Sequence, residues 1–197
     1  MVKIYKDKPN NSYKKLKEFS HDNNPNKILI RGFCWDLNLS IVLKALKQTS
    51  LNKSLLTCVG SGNVSKLFHR AGFEDVNASI GGYTIVNGLS INFDKYNEVH
   101  NDRHKDFHIF FPVENMLLDK KEANIVIDAI NKSHAQKTIV ITTNDFYRQP
   151  EELYPYIDIV QIVDISNYNK TFNDRKLSQI QKNVELNLKA RGEELPY

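Results

Sequence analysis

Residues 137–165 read KTIVITTNDFYRQPEELYPYIDIVQIVDI. Two β-branched runs, 137–143 and 159–165, are apolar at consecutive positions, the pattern of strands buried on both faces of a parallel sheet. Between them Pro150 fits the first position of a short helix over 151–156. This alternation continues outward in both directions. Upstream, Asp119 and Glu122 form a capping box for a helix through about His134, with Ile125, Val126 and Ile130 facing inward. Before it, residues 107–111 (FHIFF) read as a strand. Residues 54–59 (SLLTCV) form another, ending in Gly60-Ser61-Gly62, with a helix from about Val64 to Arg70 stopped by Gly72. Residues 27–31 (KILIR) form a strand closed by Gly32, and Asp36 caps a helix over 37–47. Downstream, a helix from Asn173 to before Gly192 carries a stripe of Leu177, Ile180, Val184 and Leu188.

Five strands alternating with helices predict an α/β fold: a mostly parallel sheet with helices on both faces. Residues 83–93 (YTIVNGLSINF) differ in period. Tyr83, Ile85, Leu89, Ile91 and Phe93 alternate about Asn87-Gly88, and Asn-Gly tolerates positive φ at both turn positions, so a β-hairpin insertion is expected. Pro and Asn clusters around a short helical stretch, Tyr13 to Phe19, set off residues 1–26 as a basic N-terminal arm before a single domain over 27–197.

The chain has 197 residues, which suits one domain. Hydrophobic residues at 41% and charged residues at 25% exclude a disordered, collagen-like or coiled-coil chain. No apolar run approaches the ~20 residues of a membrane span, so no membrane partner is expected. The first residues lack the apolar core of a signal peptide. Cys34 and Cys58 cannot make a disulfide framework, and a reducing cytoplasm is the simplest compartment. Net charge is +4, but residues 1–53 carry a balance of +7 and the remainder −3. The excess lies in Lys3, Lys6, Lys8, Lys14, Lys15, Lys17 and Lys27, which can lie along phosphates through counterion release or simply be solvated.

Ligands of open α/β sheets bind beyond the carboxyl ends of strands. Phe33-Cys34-Trp35-Asp36, Gly60-Ser61-Gly62-Asn63, Glu114, Thr143-Asn144-Asp145 and Asp164 are placed there. Cys34, near a helix N-terminus, is either a nucleophile or a small buried apolar group. Trp35 either stacks on a base or packs; Tyr147, Tyr154 and Tyr156 near Arg148 form either a stacking surface or an ordinary amphipathic rim. His100, His104 and His108 are spaced by four with Asp102 and Asp106 between them. On a helix such spacing holds a metal, but Asn101 and Asp102 disfavour a helix and His108 already falls in the strand 107–111, so a hydrated loop between hairpin and strand, with no metal, is expected.

The stretch 58–76 (CVGSGNVSKLFHRAGFEDV) resembles the glycine-rich loop of Rossmann-type methyltransferases. The resemblance implies a nucleotide or S-adenosylmethionine at Gly60, Ser61, Gly62 and Asn63, although the strand end carries no acid and the later glycine is absent. Residues 106–165, with HIFFPVENML, IVITTND and IVQIVDI, resemble the second half of a P-loop NTPase core of the RecA/AAA+ kind. That resemblance implies Glu114 as the acid that activates water or holds Mg²⁺, Asn144 as the polar γ-phosphate sensor and Arg148 as a phosphate contact. The signature G-x-x-x-x-G-K-[ST] should follow the first strand. The chain reads RGFCWDLNLS there, with no Lys before Lys44. No motif fixes a reaction or a cofactor. The leading expectation is a non-hydrolysing accessory or adaptor protein in nucleic-acid handling, meeting nucleic acid through the Lys cluster and a protein partner or second copy elsewhere. The alternatives are a Rossmann-type small-molecule enzyme and a structural assembly protein without a ligand.

Overall fold

The computed structural model describes residues 2–47, 49, 52–58, 64–74, 76–77, 79–96, 102–142, 148–166 and 172–193, with side chains of the last helix from 179 onward. Eight strands form one sheet: β1 (Lys3–Asp7), β2 (Lys27–Arg31), β3 (Lys53–Cys58), β4 (Tyr83–Val86), β5 (Leu89–Lys95), β6 (Phe107–Phe110), β7 (Lys137–Ile141) and β8 (Ile159–Val163). Their order is β1-β8-β2-β7-β6-β3-β5-β4. The five expected strands are the contiguous block β8-β2-β7-β6-β3, each pairing in parallel with its neighbour. The count of about five is corrected to eight. β1 extends one edge through β8, and β5 and β4 extend the other through β3.

The hairpin forms where Asn-Gly demanded it, with φ of 54° at Asn87 and 85° at Gly88. It is not a projecting insertion. β5 runs parallel to β3 over six residue pairs, because Leu89, Ile91 and Phe93 supply a buried face that continues the core.

Helices cover both faces. On one lie α1 (Pro9–His21), α2 (Trp35–Leu46) and α3 (Val64–Arg70), packed on Ile28, Ile30, Leu56, Ile109, Ile139 and Ile141. On the other lie α4 (Glu114–Leu117), α5 (Lys120–Lys132) and a 3-10 helix (Gln149–Tyr156), packed on Leu29, Phe110, Val140, Val160 and Ile162. α6 (Phe172–Ala190) buries Val184 and Leu188 but leaves Ile180 exposed, so the expected stripe is only partly inward. In α5 the cap is as expected, with Asp119 accepting from the Lys121 and Glu122 N–H groups. Ala123, Val126 and Ile130 face inward, while Ile125 lies on the outer side. Asp36 does not cap α2: the helix starts one residue earlier, at Trp35, and Asp36 sits in its first turn.

Residues 3–21, read as an arm outside the domain, belong to the fold. β1 pairs with β8, and α1 delivers Leu16 and Phe19, 0% and 2% exposed, into the core with α2. Among the described residues, Asp164 holds Lys8 at 2.9 Å and Asp7 holds Lys15 at 2.8 Å. Lys3, Lys6, Lys14 and Lys17 are exposed.

Burial of α1 gives a direct prediction. Leu16→Ala leaves a cavity between α1 and α2 and should lower unfolding stability in urea by about 2–5 kcal/mol. A loss within experimental error would show that α1 is peripheral.

Candidate functional site

β2 lies at the topological switch point: the chain leaves it for β3, three places away, fills back through β6 and β7, and then places β8 on its other side. The crevice where open α/β sheets bind ligands is at the carboxyl ends of these strands. It is built from the turn after β2, the segment after β6 and the start of the 3-10 helix after β7.

Only Gly32, Phe33 and Cys34 separate β2 from α2. Gly32 has φ of +154°, and a Cβ there would lie 3.0 Å from the Val163 carbonyl oxygen and 3.1 Å from Asn38 Oδ1. Counting the phosphate-loop spacing from Gly32 puts Leu37 at the second glycine, Asn38 at the lysine and Leu39 at the hydroxyl residue. All three stand inside α2. Asn38 is fully buried and turns its amide nitrogen back to the Gly32 carbonyl at 3.4 Å. A phosphate cradle needs free backbone N–H groups on an open loop, with a long cationic side chain reaching over it. The turn after β2 is three residues long, and Asn38 is a short amide turned inward, so this turn presents neither feature.

The side chains around this turn are also engaged. Trp35 packs on Phe111, ring centroids 5.9 Å apart, and the Arg70 guanidinium covers it at 4.6 Å. Cys34 is buried and its thiol lies 2.6 Å from Asp36 Oδ1. Burial, then the hydrogen bond and charge of Asp36, push the thiol up to about 12. At neutral pH it is therefore a thiol and no nucleophile. Arg31, fully buried at the end of β2 on the opposite face, donates from Nη1 to the Tyr154 hydroxyl at 2.7 Å. Tyr154 thus serves the sheet, while Tyr156 is exposed at the end of the 3-10 helix.

Glu114 is the first residue of α4, just past the cis Phe111–Pro112 bond, and is buried. Near it Tyr96 follows β5 and packs on Phe110 at 5.9 Å. Burial, with the charges of Cys58 and Glu114, pushes the Tyr96 phenol well above its ordinary value. Its hydroxyl has no hydrogen-bond partner among the described residues. The structure thus brings Glu114 and Tyr96 to the same end of the sheet as the closed turn. Arg148 is exposed at the N-cap of the 3-10 helix, where its carbonyl accepts from the Glu151 N–H at 2.8 Å. Asp164 is committed to Lys8, and its hydrogen bonds from Ser166 and Lys8 outweigh burial and hold its carboxyl below the usual range. Gly60, Ser61, Gly62, Asn63, His100, Thr143, Asn144, Asp145 and Tyr147 lie outside the described residues.

One polar array was not anticipated. His108 lies in a strand, β6, as the reading of 107–111 expected; it is fully buried, under Phe110 at 4.0 Å. Its Nδ1 faces Asp102 Oδ2 at 3.0 Å and Ser133 Oγ at 3.1 Å, and its Nε2 faces Thr57 Oγ1 at 2.8 Å. The His134 backbone N–H donates to Asp102 at 2.9 Å. Both imidazole nitrogens of His108 are occupied, His104 is exposed, and no group of three or more metal-ligating residues forms among the described residues. The order carboxylate–imidazole–hydroxyl is that of a nucleophilic triad. Thr57 and His108 are sealed from solvent, however, so the array pins β3, β6 and the turn after α5 together. The sequence signal for it is a histidine inside an otherwise apolar strand, Phe107 to Phe110.

Burial alone would raise the Asp102 carboxyl. Hydrogen bonds from His108, Ser133 and the His134 N–H, with the charge of His108, win and hold it well below the ordinary carboxylate range. A depressed carboxyl stabilises the fold above its unfolded value of ~3.9, and that contribution fades as pH falls through the lower folded value. Asp102→Asn should therefore cost about 1.5–3 kcal/mol at pH 7, and the deficit should hold down to about pH 4 and shrink below it. Denaturation across that range checks both; a deficit that grows with acid would contradict the assignment. Gly32→Ala should cost roughly 1–3 kcal/mol, since the Cβ must displace the Val163 carbonyl or Asn38. An unchanged urea midpoint would show that the turn is not closed as described.

No family model matches this chain, and neither a curated protein nor a solved structure matches it, so its function is read from its own geometry.

Proposed function

We propose that this chain is a non-hydrolysing accessory or adaptor protein in nucleic-acid handling, built on a RecA/AAA+-like core whose phosphate loop has closed. A nucleotide held after the first core strand can be reached by an acid after the third and a polar side chain after the fourth only if those strands lie beside it. β7 is directly beside β2, and β6, which leads to Glu114, is next. The single observation that carries the non-hydrolysing reading is the turn itself: Gly32 against the Val163 carbonyl, with Asn38 buried where the lysine would stand.

The nucleic-acid reading rests on the exposed lysines Lys3 on β1 and Lys14 and Lys17 on α1. The adaptor reading rests on the other edge. β4 leaves Tyr83 and Ile85 largely exposed on an open strand, the kind of surface a protein partner pairs with.

Two outcomes are expected. Purified protein releases no phosphate from ATP with Mg²⁺ above the background of buffer alone. It binds double-stranded DNA with log K falling against log salt at a slope no steeper than about −3, since Lys3, Lys14 and Lys17 release ~0.9 counterion each. Lys14→Glu with Lys17→Glu should flatten that slope without loss of fold. These substitutions are a cleaner probe than removing residues 1–20, which would strip β1, Leu16 and Phe19 from the core. Binding that is absent, or indifferent to salt and to both substitutions, would overturn the nucleic-acid reading.

A further inference from the structure

A cleft of about 610 Å³ opens at the amino ends of the strands, opposite the closed turn. Its walls are Val2 and Lys3 at the start of β1, the loop Asn24-Pro25-Asn26, and Tyr154, Pro155, Ile157, Asp158 and Ile159 where the 3-10 helix meets β8. The size lies within the range of small-molecule sites, and the lining is mixed, with more polar than apolar surface: Lys3, Asn24, Asn26 and Asp158 beside the rings of Pro25, Tyr154 and Pro155.

The walls are held in place. Asp158 Oδ2 accepts from the backbone N–H groups of Asn26 at 3.0 Å and Lys27 at 2.9 Å, tying the loop to the entrance of β8. Lys137, 4% exposed, donates from Nζ to the Pro25 carbonyl at 2.6 Å and to the Asp22 carbonyl. Tyr154 is fixed through its hydroxyl by Arg31. The loop carboxamides of Asn24 and Asn26 are exposed, as is Lys3.

We propose that this cleft takes a nucleoside monophosphate unit. The Tyr154 ring and the Pro25 and Pro155 rings give flat apolar surface for a base. A carboxamide offers a donor and an acceptor side by side, which matches the paired donor and acceptor on a base edge, and two of them flank the floor. Lys3 supplies the cation for the phosphate. Asp158 keeps its negative charge, which two backbone N–H groups on Oδ2 only partly offset, so the phosphate belongs at the Lys3 side of the cleft. The unit is either free or the terminal nucleotide of a strand; the latter deepens the nucleic-acid reading above, while the former stands without it.

The test uses the full chain and AMP, followed by calorimetry and thermal stability. AMP should bind with a Kd of about 1 mM or tighter, and adenosine and ribose 5-phosphate should each bind at least about tenfold more weakly, because each lacks one recognised part. Asn24→Ala with Asn26→Ala, and separately Lys3→Glu, should weaken AMP at least about tenfold with the unliganded melting temperature unchanged. A 5′-phosphorylated oligonucleotide that competes with AMP places the unit at a strand end; failure to compete leaves the free nucleotide as the source. AMP binding that survives Lys14→Glu with Lys17→Glu separates this site from the lysine face. No AMP binding, or binding that ignores Lys3, Asn24 and Asn26, overturns the proposal.

Discussion

β2 is hydrogen-bonded in parallel to β8 on one side and to β7 on the other, so the sheet fixes the position of its last residue. Everything at the carboxyl end follows from that clamp. Gly32 must leave the strand against the Val163 carbonyl of the neighbouring β8, at a φ that suits glycine. With three residues of turn, α2 starts at Trp35 and carries Asn38 into the interior. On the opposite face the same clamp sends Arg31 under the 3-10 helix to Tyr154. The space beyond the end of β2 is taken up by packing.

Two cores, one on each face, divide the remaining work. The α1–α2–α3 side holds the larger apolar cluster, with Ser12 and Gln161 buried together and Asn38 turned to Gly32, and it draws the basic N-terminal segment into the sheet through Leu16 and Phe19. The α4–α5 side admits polar groups, but holds them in arrays: Asp102 with His108, Ser133 and Thr57, and Glu114 near Tyr96. The two sheet edges differ in kind. β1 presents lysines, which discourage pairing with another strand, while β4 presents Tyr83 and Ile85 without a charge between them. That asymmetry suits a molecule with a charged side and a protein-facing side.

The five central strands were legible because consecutive β-branched residues have few other stable homes, and the hairpin because Asn-Gly demands its turn. β1 was not legible: KIYKD carries three charges in five residues and, as an edge strand, leaves only partly covered side chains. β5 read as half of a free hairpin because alternation cannot show that its buried face joins a larger core. At the site, Gly32 and Glu114 stood out at strand ends. Asn38 did not, since an asparagine inside a helical stretch ordinarily faces water. His108 was legible as part of the strand FHIFF, but its pairing with Asp102 and Ser133 was not, since neither spacing nor periodicity shows which residues meet a buried imidazole.

Trp35, the single tryptophan, starts α2 at the closed turn, so its emission reports directly on that turn. Titrating the protein with ATP and Mg²⁺ into the millimolar range should leave the intensity and wavelength of Trp35 emission unchanged. A saturable change that requires Mg²⁺ would show that a nucleotide enters beside β2 and would contradict the closed turn on which this account depends.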